Sequence, residues 1–122
     1  MNKKLFIILV IVVTLFVGCS SDDKSYQNKD KRNTVVAMMN GNSMLPTYKD
    51  GDVLVFYVNE PIEINDVILF NYNKDKLIKR VVEVPTEEDG CYYAAGDNVE
   101  ISITTEMIGC IKKESIIGVI KK

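Results

Sequence analysis

From Thr34 onward the chain is a succession of short β-branched and aromatic runs, each bounded by glycine, asparagine, aspartate or proline. They read TVVAMM (34–39), DVLVFYV (52–58), DVILFNY (66–72), LIKRVVEV (77–84), CYYAA (91–95) and IIGVI (116–120). Runs of this length and punctuation predict strands, and nothing after the N-terminal run holds a helical 3.6-residue period. The stretch from Glu106 to Glu114 is the one ambiguous region. No internal repeat is present. The expected architecture is mostly β, a small antiparallel β-barrel or coiled sheet, preceded by one N-terminal hydrophobic helix.

That N-terminal segment reads MNKKLFIILVIVVTLFVGCSSDDK. Lys3 and Lys4 supply positive charge, and Leu5 to Gly18 is apolar apart from Thr14. At about 1.5 Å per residue this run makes roughly 21 Å of helix, short of the ~30 Å hydrocarbon core of a bilayer. The length suits the apolar core of a signal peptide, with a slightly short membrane anchor as the alternative. The run ends in Gly18-Cys19-Ser20-Ser21, a junction similar to the lipobox of bacterial lipoproteins, whose cysteine is acylated; Phe16 stands where that pattern usually has leucine. Either way the lysines remain inside, so the domain is expected on the extracytoplasmic face of the cell membrane, held by the helix or by lipid on Cys19. Residues 20–33 (SSDDKSYQNKDKRN) are charged and aperiodic and read as a flexible polar tether. The chain is thus expected to divide into a signal or anchor segment (1–19), a tether (20–33) and a β domain (34–122).

Composition removes several function classes. A net charge of −2 and the absence of any basic block give no footprint for nucleic acid. The chain has no histidine, which excludes a Ser-His-Asp triad and the His-rich zinc sites of most hydrolases. Nothing supports a metal site. Three cysteines are an awkward number for an oxidising compartment. If Cys19 carries lipid, Cys91 and Cys110 remain as one possible disulfide, the alternative being two buried free thiols.

Residues 41–56 read GNSMLPTYKDGDVLVF. Gly41, Asn42, Ser43 and Pro46 are turn residues, and turn chemistry alone would account for them. Asp52 and Asp66, each placed just before a Val-rich run, read the same way. If Ser43 is instead a nucleophile on a loop, its base must be a carboxylate or a lysine of lowered pKa, and lysine is the better candidate. In KLIKRVVEV a period of two puts Leu77, Lys79, Val81 and Glu83 on one face and Ile78, Arg80, Val82 and Val84 on the other. Lys79 then stands between aliphatic neighbours, where desolvation disfavours its charged form. Periodicity leaves open whether Lys79 or Arg80 points inward.

Four segments taken in order, SMLPT (43–47), GDVLVF (51–56), IKRVVEVP (78–85) and GDNVEIS (96–102), resemble the boxes of bacterial type I signal peptidases. The resemblance covers roughly residues 35 to 120. It implies the β fold of that family, Ser43 as catalytic nucleophile, Lys79 as general base, Ser102 as the hydroxyl that orients the base, and Met44 and Ile78 at the pocket for the small residue before the scissile bond. It implies no cofactor. The implied substrates are secretory precursors with small residues at the cleavage site, met at a lipid membrane. Several positions depart from the pattern. Gly41 replaces a serine that completes the oxyanion hole in many members. Thr104, Thr105 and Glu106 fall where an Asp-Ser-Arg triplet is usual, so its Asp–Arg pair is missing. Glu83 replaces a glycine, and Pro85-Thr86-Glu87 stands for Pro-Gly-Asp. Thr86 to Gly90 leaves no room for a second domain, so this is a minimal core. Self-cleaving repressors share the fold and the Ser-Lys pair but usually carry a DNA-binding domain where this chain has its apolar run. A non-catalytic or dedicated accessory lipoprotein that keeps the fold is the remaining alternative.

Overall fold

The apolar runs become six strands in a computed structural model that describes residues 32–101 and 105–122. They are β1 (Thr34–Met38), β2 (Val53–Tyr57), β3 (Val67–Tyr72), β4 (Asp75–Glu83), β5 (Tyr93–Ala95) and β6 (Ile116–Ile120). A one-turn helix α1 (Thr105–Ile108) and a 3-10 turn (Lys113–Ser115) occupy the stretch that periodicity left ambiguous. The N-terminal run, its lipobox-like end and the tether up to residue 31 lie outside the described residues. Among the described residues no helix is long and apolar enough to cross a membrane.

The strands form one sheet in the order β1-β2-β6-β3-β4-β5, with every pairing antiparallel. Of the two expected forms, barrel or coiled sheet, the barrel is excluded, because the six-stranded sheet is not closed. β1 and β5 are the two ends of the order, and β5 has three residues where it meets β4 across an irregular register between Val81 and Glu83. A strand that short has little backbone left with which to continue a ladder around a closed wall.

β3 lies between β6 and β4 and shows why its sequence is continuously apolar rather than alternating. Val67 and Leu69 join a cluster with Met39, Met44, Leu54, Phe56 and Ile78. Ile68 and Phe70 join a second cluster with Val81, Tyr92, Ala94, Ile108, Ile111 and Val119. Both faces of this strand are therefore covered. It turns into β4 through Asn73 and Lys74, with Asn73 at φ 54°, a left-handed conformation that asparagine tolerates better than most residues. Asp66, fully buried before β3, does the expected turn chemistry by accepting the Glu63 amide. It also ties down the C-terminus, accepting from the Lys122 amide and the Lys121 ammonium.

Cys91 and Cys110 form a disulfide that closes the loop leading from β5 through α1. A covalent loop of this length contributes on the order of 3 kcal/mol by restricting the unfolded chain. The outer face of the β1–β2 hairpin is apolar and exposed, with Val36 opposite Val55 and Met38 opposite Val53.

β2 meets β6 through one register pair, Tyr57 with Val119, so the hairpin joins the rest of the sheet at a narrow junction. Gly118 makes that junction possible, because a Cβ there would lie 2.8 Å from the Phe56 Cβ and 3.2 Å from the Tyr57 carbonyl oxygen. We expect Gly118→Ala to lower stability by about 1–3 kcal/mol, the usual cost of overpacking. Urea unfolding followed by circular dichroism checks this, and an unchanged midpoint would refute the junction's tightness.

Candidate active site

Beyond β1 the chain enters a loop whose base is clamped by two backbone bonds, Met39 N–H to the Asp52 carbonyl (2.7 Å) and Gly51 N–H to the Met39 carbonyl (2.8 Å). Two aspartates shape the loop from within. Asp50 accepts from the Gly41 amide at 2.7 Å, and Asp52 accepts from the Lys49 amide at 2.9 Å, the turn role expected of it. Met44 anchors the loop, since its side chain has no exposure and packs in the first core cluster. Burial of Met44 fixes the position of the residue before it, and that residue is Ser43.

Lys79 approaches from β4, where it stands opposite Ile68 of β3. It is 4% exposed, and its Nζ lies 2.7 Å from Ser43 Oγ, in hydrogen-bond contact. Burial pushes the Lys79 pKa below its ordinary value of 10.5, because the apolar surroundings penalise the ammonium form. Arg80, the other inward candidate, goes elsewhere. Its Nε and one terminal nitrogen donate to the two carboxylate oxygens of Asp97 at 2.8 and 2.7 Å, and its other terminal nitrogen donates to the Asn65 carbonyl at 2.7 Å. It is Lys79 that meets the serine.

The sequence suggested no role for Asp97, Thr47 or Asn98 and offered Arg80 only as the alternative to Lys79, and the structure gathers all four around the Ser43 loop. Asp97 takes the bidentate pair from Arg80 and also accepts the Thr47 hydroxyl at 2.6 Å. The hydrogen bond from Arg80 chiefly holds the Asp97 carboxyl below its usual range, against the opposing effect of burial. Asn98 donates its backbone N–H to the Ser43 carbonyl at 2.9 Å and its carboxamide to the Asn42 carbonyl at 3.1 Å. The Asp–Arg pair missing at 104–106 thus has a counterpart between β4 and the segment after β5. Its signal lay in the Gly-Asp-Asn and Ser-Met-x-Pro-Thr motifs, whose Asp97 and Thr47 are too far apart in sequence to be paired by inspection.

A cleft of about 390 Å³ opens beside Ser43 and Lys79. Its walls are residues 37–40 at the end of β1, residues 76–79 of β4, Leu69 and Ile101. Ile78 is therefore a wall residue. Met44, expected at the pocket, has no exposure and packs in the core cluster that also holds the wall residues Met39, Leu69 and Ile78. Ser102 lies outside the described residues. Gly41 sits at φ 87°, a left-handed conformation that a serine would adopt only with strain, so the departure at this position has a backbone reason. Among the described residues no group of three or more cysteines and acids is placed to hold a metal.

We expect Asp97→Asn to cost about 1–3 kcal/mol, since it leaves a half-buried guanidinium without its carboxylate. Asp97 has a depressed folded pKa, so its contribution is present above pH 3.8 and is lost as pH falls through that lowered value. The difference between parent and variant should be full at neutral pH and shrink in acid. Denaturant titrations at pH 7 and pH 3 read both arms, and a pH-independent difference would contradict the pairing.

The chain matches the family model described as Peptidase S24-like over residues 17–120. No curated protein matches it. That span takes in both the Ser43 loop and the Lys79 strand, and the chain belongs to the Peptidase S24-like family of serine peptidases.

Proposed function

We propose that this chain is a membrane-tethered serine endopeptidase of the type I signal peptidase kind, with Ser43 as nucleophile and Lys79 as general base. The observation that carries the reading is the 2.7 Å contact between Ser43 Oγ and a lysine that burial drives toward its neutral form. A neutral amine at that distance can accept the hydroxyl proton; a charged one cannot.

In the proposed reaction Ser43 Oγ attacks the scissile carbonyl as its proton passes to Lys79 Nζ. The Ser43 backbone N–H donates to the oxyanion, an interaction that typically contributes several kcal/mol. Collapse expels the amine, which takes the proton from Lys79. Water then attacks the acyl-enzyme, again giving its proton to Lys79, and Ser43 is regenerated. Ser102 is proposed to orient the lysine. The substrates are secretory precursors that present an extended segment with small, A-x-A-like residues. The N-terminal run, or lipid on Cys19, holds the domain at the outer membrane surface where such segments emerge.

A second reading, an accessory protein that keeps the fold without turnover, is favoured by one feature. Gly41 supplies no side-chain donor two residues before Ser43, and losing one oxyanion donor costs about 10²–10³ in rate.

The two readings separate when the full chain in detergent is incubated with a precursor peptide bearing an A-x-A site. We expect cleavage after the second small residue, with Ser43→Ala and Lys79→Ala each reduced by at least about 10³-fold. The rate should rise with pH as Lys79 deprotonates, along a limb whose midpoint lies below 10.5. Absence of cleavage by folded protein, or equal cleavage by the variants, would favour the accessory reading.

A further inference from the structure

The cleft has a direction. Four antiparallel pairings in succession separate β1 from β4, so the two strands run the same way. Both lead toward the reactive pair: residues 37–40 continue into the Ser43 loop, and residues 76–79 end on Lys79. One end of the cleft therefore holds Ser43 and Lys79, and the other is marked by Lys76. Three residues of extended chain separate Lys76 from Lys79, roughly 10 Å.

Lys76 is exposed, and its side chain makes no hydrogen bond or ion pair with any described residue. Its cross-strand neighbour, Asn71, is neutral. The remaining described wall residues are apolar or uncharged apart from Lys79, and no carboxylate is among them. A peptide lying extended in this cleft, with its scissile carbonyl at Ser43, would set the side chain about three residues away beside an unneutralised ammonium.

Resting on the peptidase reading above, we propose that Lys76 is a specificity-determining residue, selecting substrates that carry a carboxylate side chain about three or four residues from the scissile bond, outside the two small positions. It acts as a charge at the cleft mouth and takes no part in the chemistry. The attraction is that of a solvent-exposed ion pair, so the selection is modest and sensitive to salt.

The test uses the full chain in detergent and peptides with one cleavage site, in which the two small residues are kept and Asp, Asn and Lys are placed in turn at each of the other positions within four residues of the bond on either side. We expect one position about three or four residues away at which kcat/KM ranks Asp over Lys by about three- to fivefold at low salt. The ratio should fall toward one in 0.5 M salt, fall likewise in Lys76→Gln, and invert in Lys76→Glu. Binding of the same peptides to Ser43→Ala, read by fluorescence anisotropy, should show the same ranking. Cleavage without a Lys76-dependent charge preference would overturn this inference and leave the peptidase reading standing. Charge-selective binding without cleavage by the parent chain would sustain the cleft's selectivity and remove the peptidase reading. Neither binding nor cleavage would overturn both.

Discussion

A lysine cannot keep its charge at low cost where water is excluded, and the placement of Lys79 is the constraint around which the site is arranged. β4 carries it inward between aliphatic neighbours, to 4% exposure, and the contact it makes there is with the hydroxyl of Ser43. Burial and proximity act on the same bond. The first lowers the pKa of the amine, and the second places the amine where a proton can pass to it. For the proposed reaction neither would suffice alone, since an exposed lysine is charged and a buried one without a hydroxyl has nothing to activate.

The contact requires two segments distant in sequence to be held with a precision that a loop does not provide by itself. Met44 sinks one end of the Ser43 loop into the core, and paired backbone bonds at Met39 close its base. The segment after β5 then crosses to the same loop. Asp97 joins Arg80 of β4 to Thr47, and Asn98 holds the carbonyls of Ser43 and Asn42. Lys79 and Arg80 are adjacent in β4 and divide the work, one facing the serine and the other fixing the segment that secures it. The Cys91–Cys110 disulfide closes the loop that contains this segment.

Much of this was legible from residues alone. Each of the six expected runs contains or overlaps its strand, with ends displaced by a residue or two, because β-branched runs between Gly, Asn and Asp turns are a local signal. The serine and the lysine could be named from motif, whereas alternation alone left Lys79 and Arg80 open. Met44 shows what a motif does not report. The resemblance placed it at the pocket for the small residue, whereas its side chain has no exposure and packs in the core cluster. The barrel did not close because closure depends on the length and register of the terminal strands, which propensity does not report.

The sequence by itself determined the strand segments, the exclusion of histidine chemistry and the pairing of a serine box with a lysine box, since these rest on residue type and short-range period. Only the tertiary structure decided that Lys79 comes within 2.7 Å of Ser43, that Asp97 binds both Arg80 and Thr47, and that Cys91 pairs with Cys110. The physical reason is the same in each case. An inward or outward choice on a strand, an ion pair and a disulfide all depend on how the sheet curls and which distant segments it brings within a few ångströms, and that is settled by the packing of the whole core.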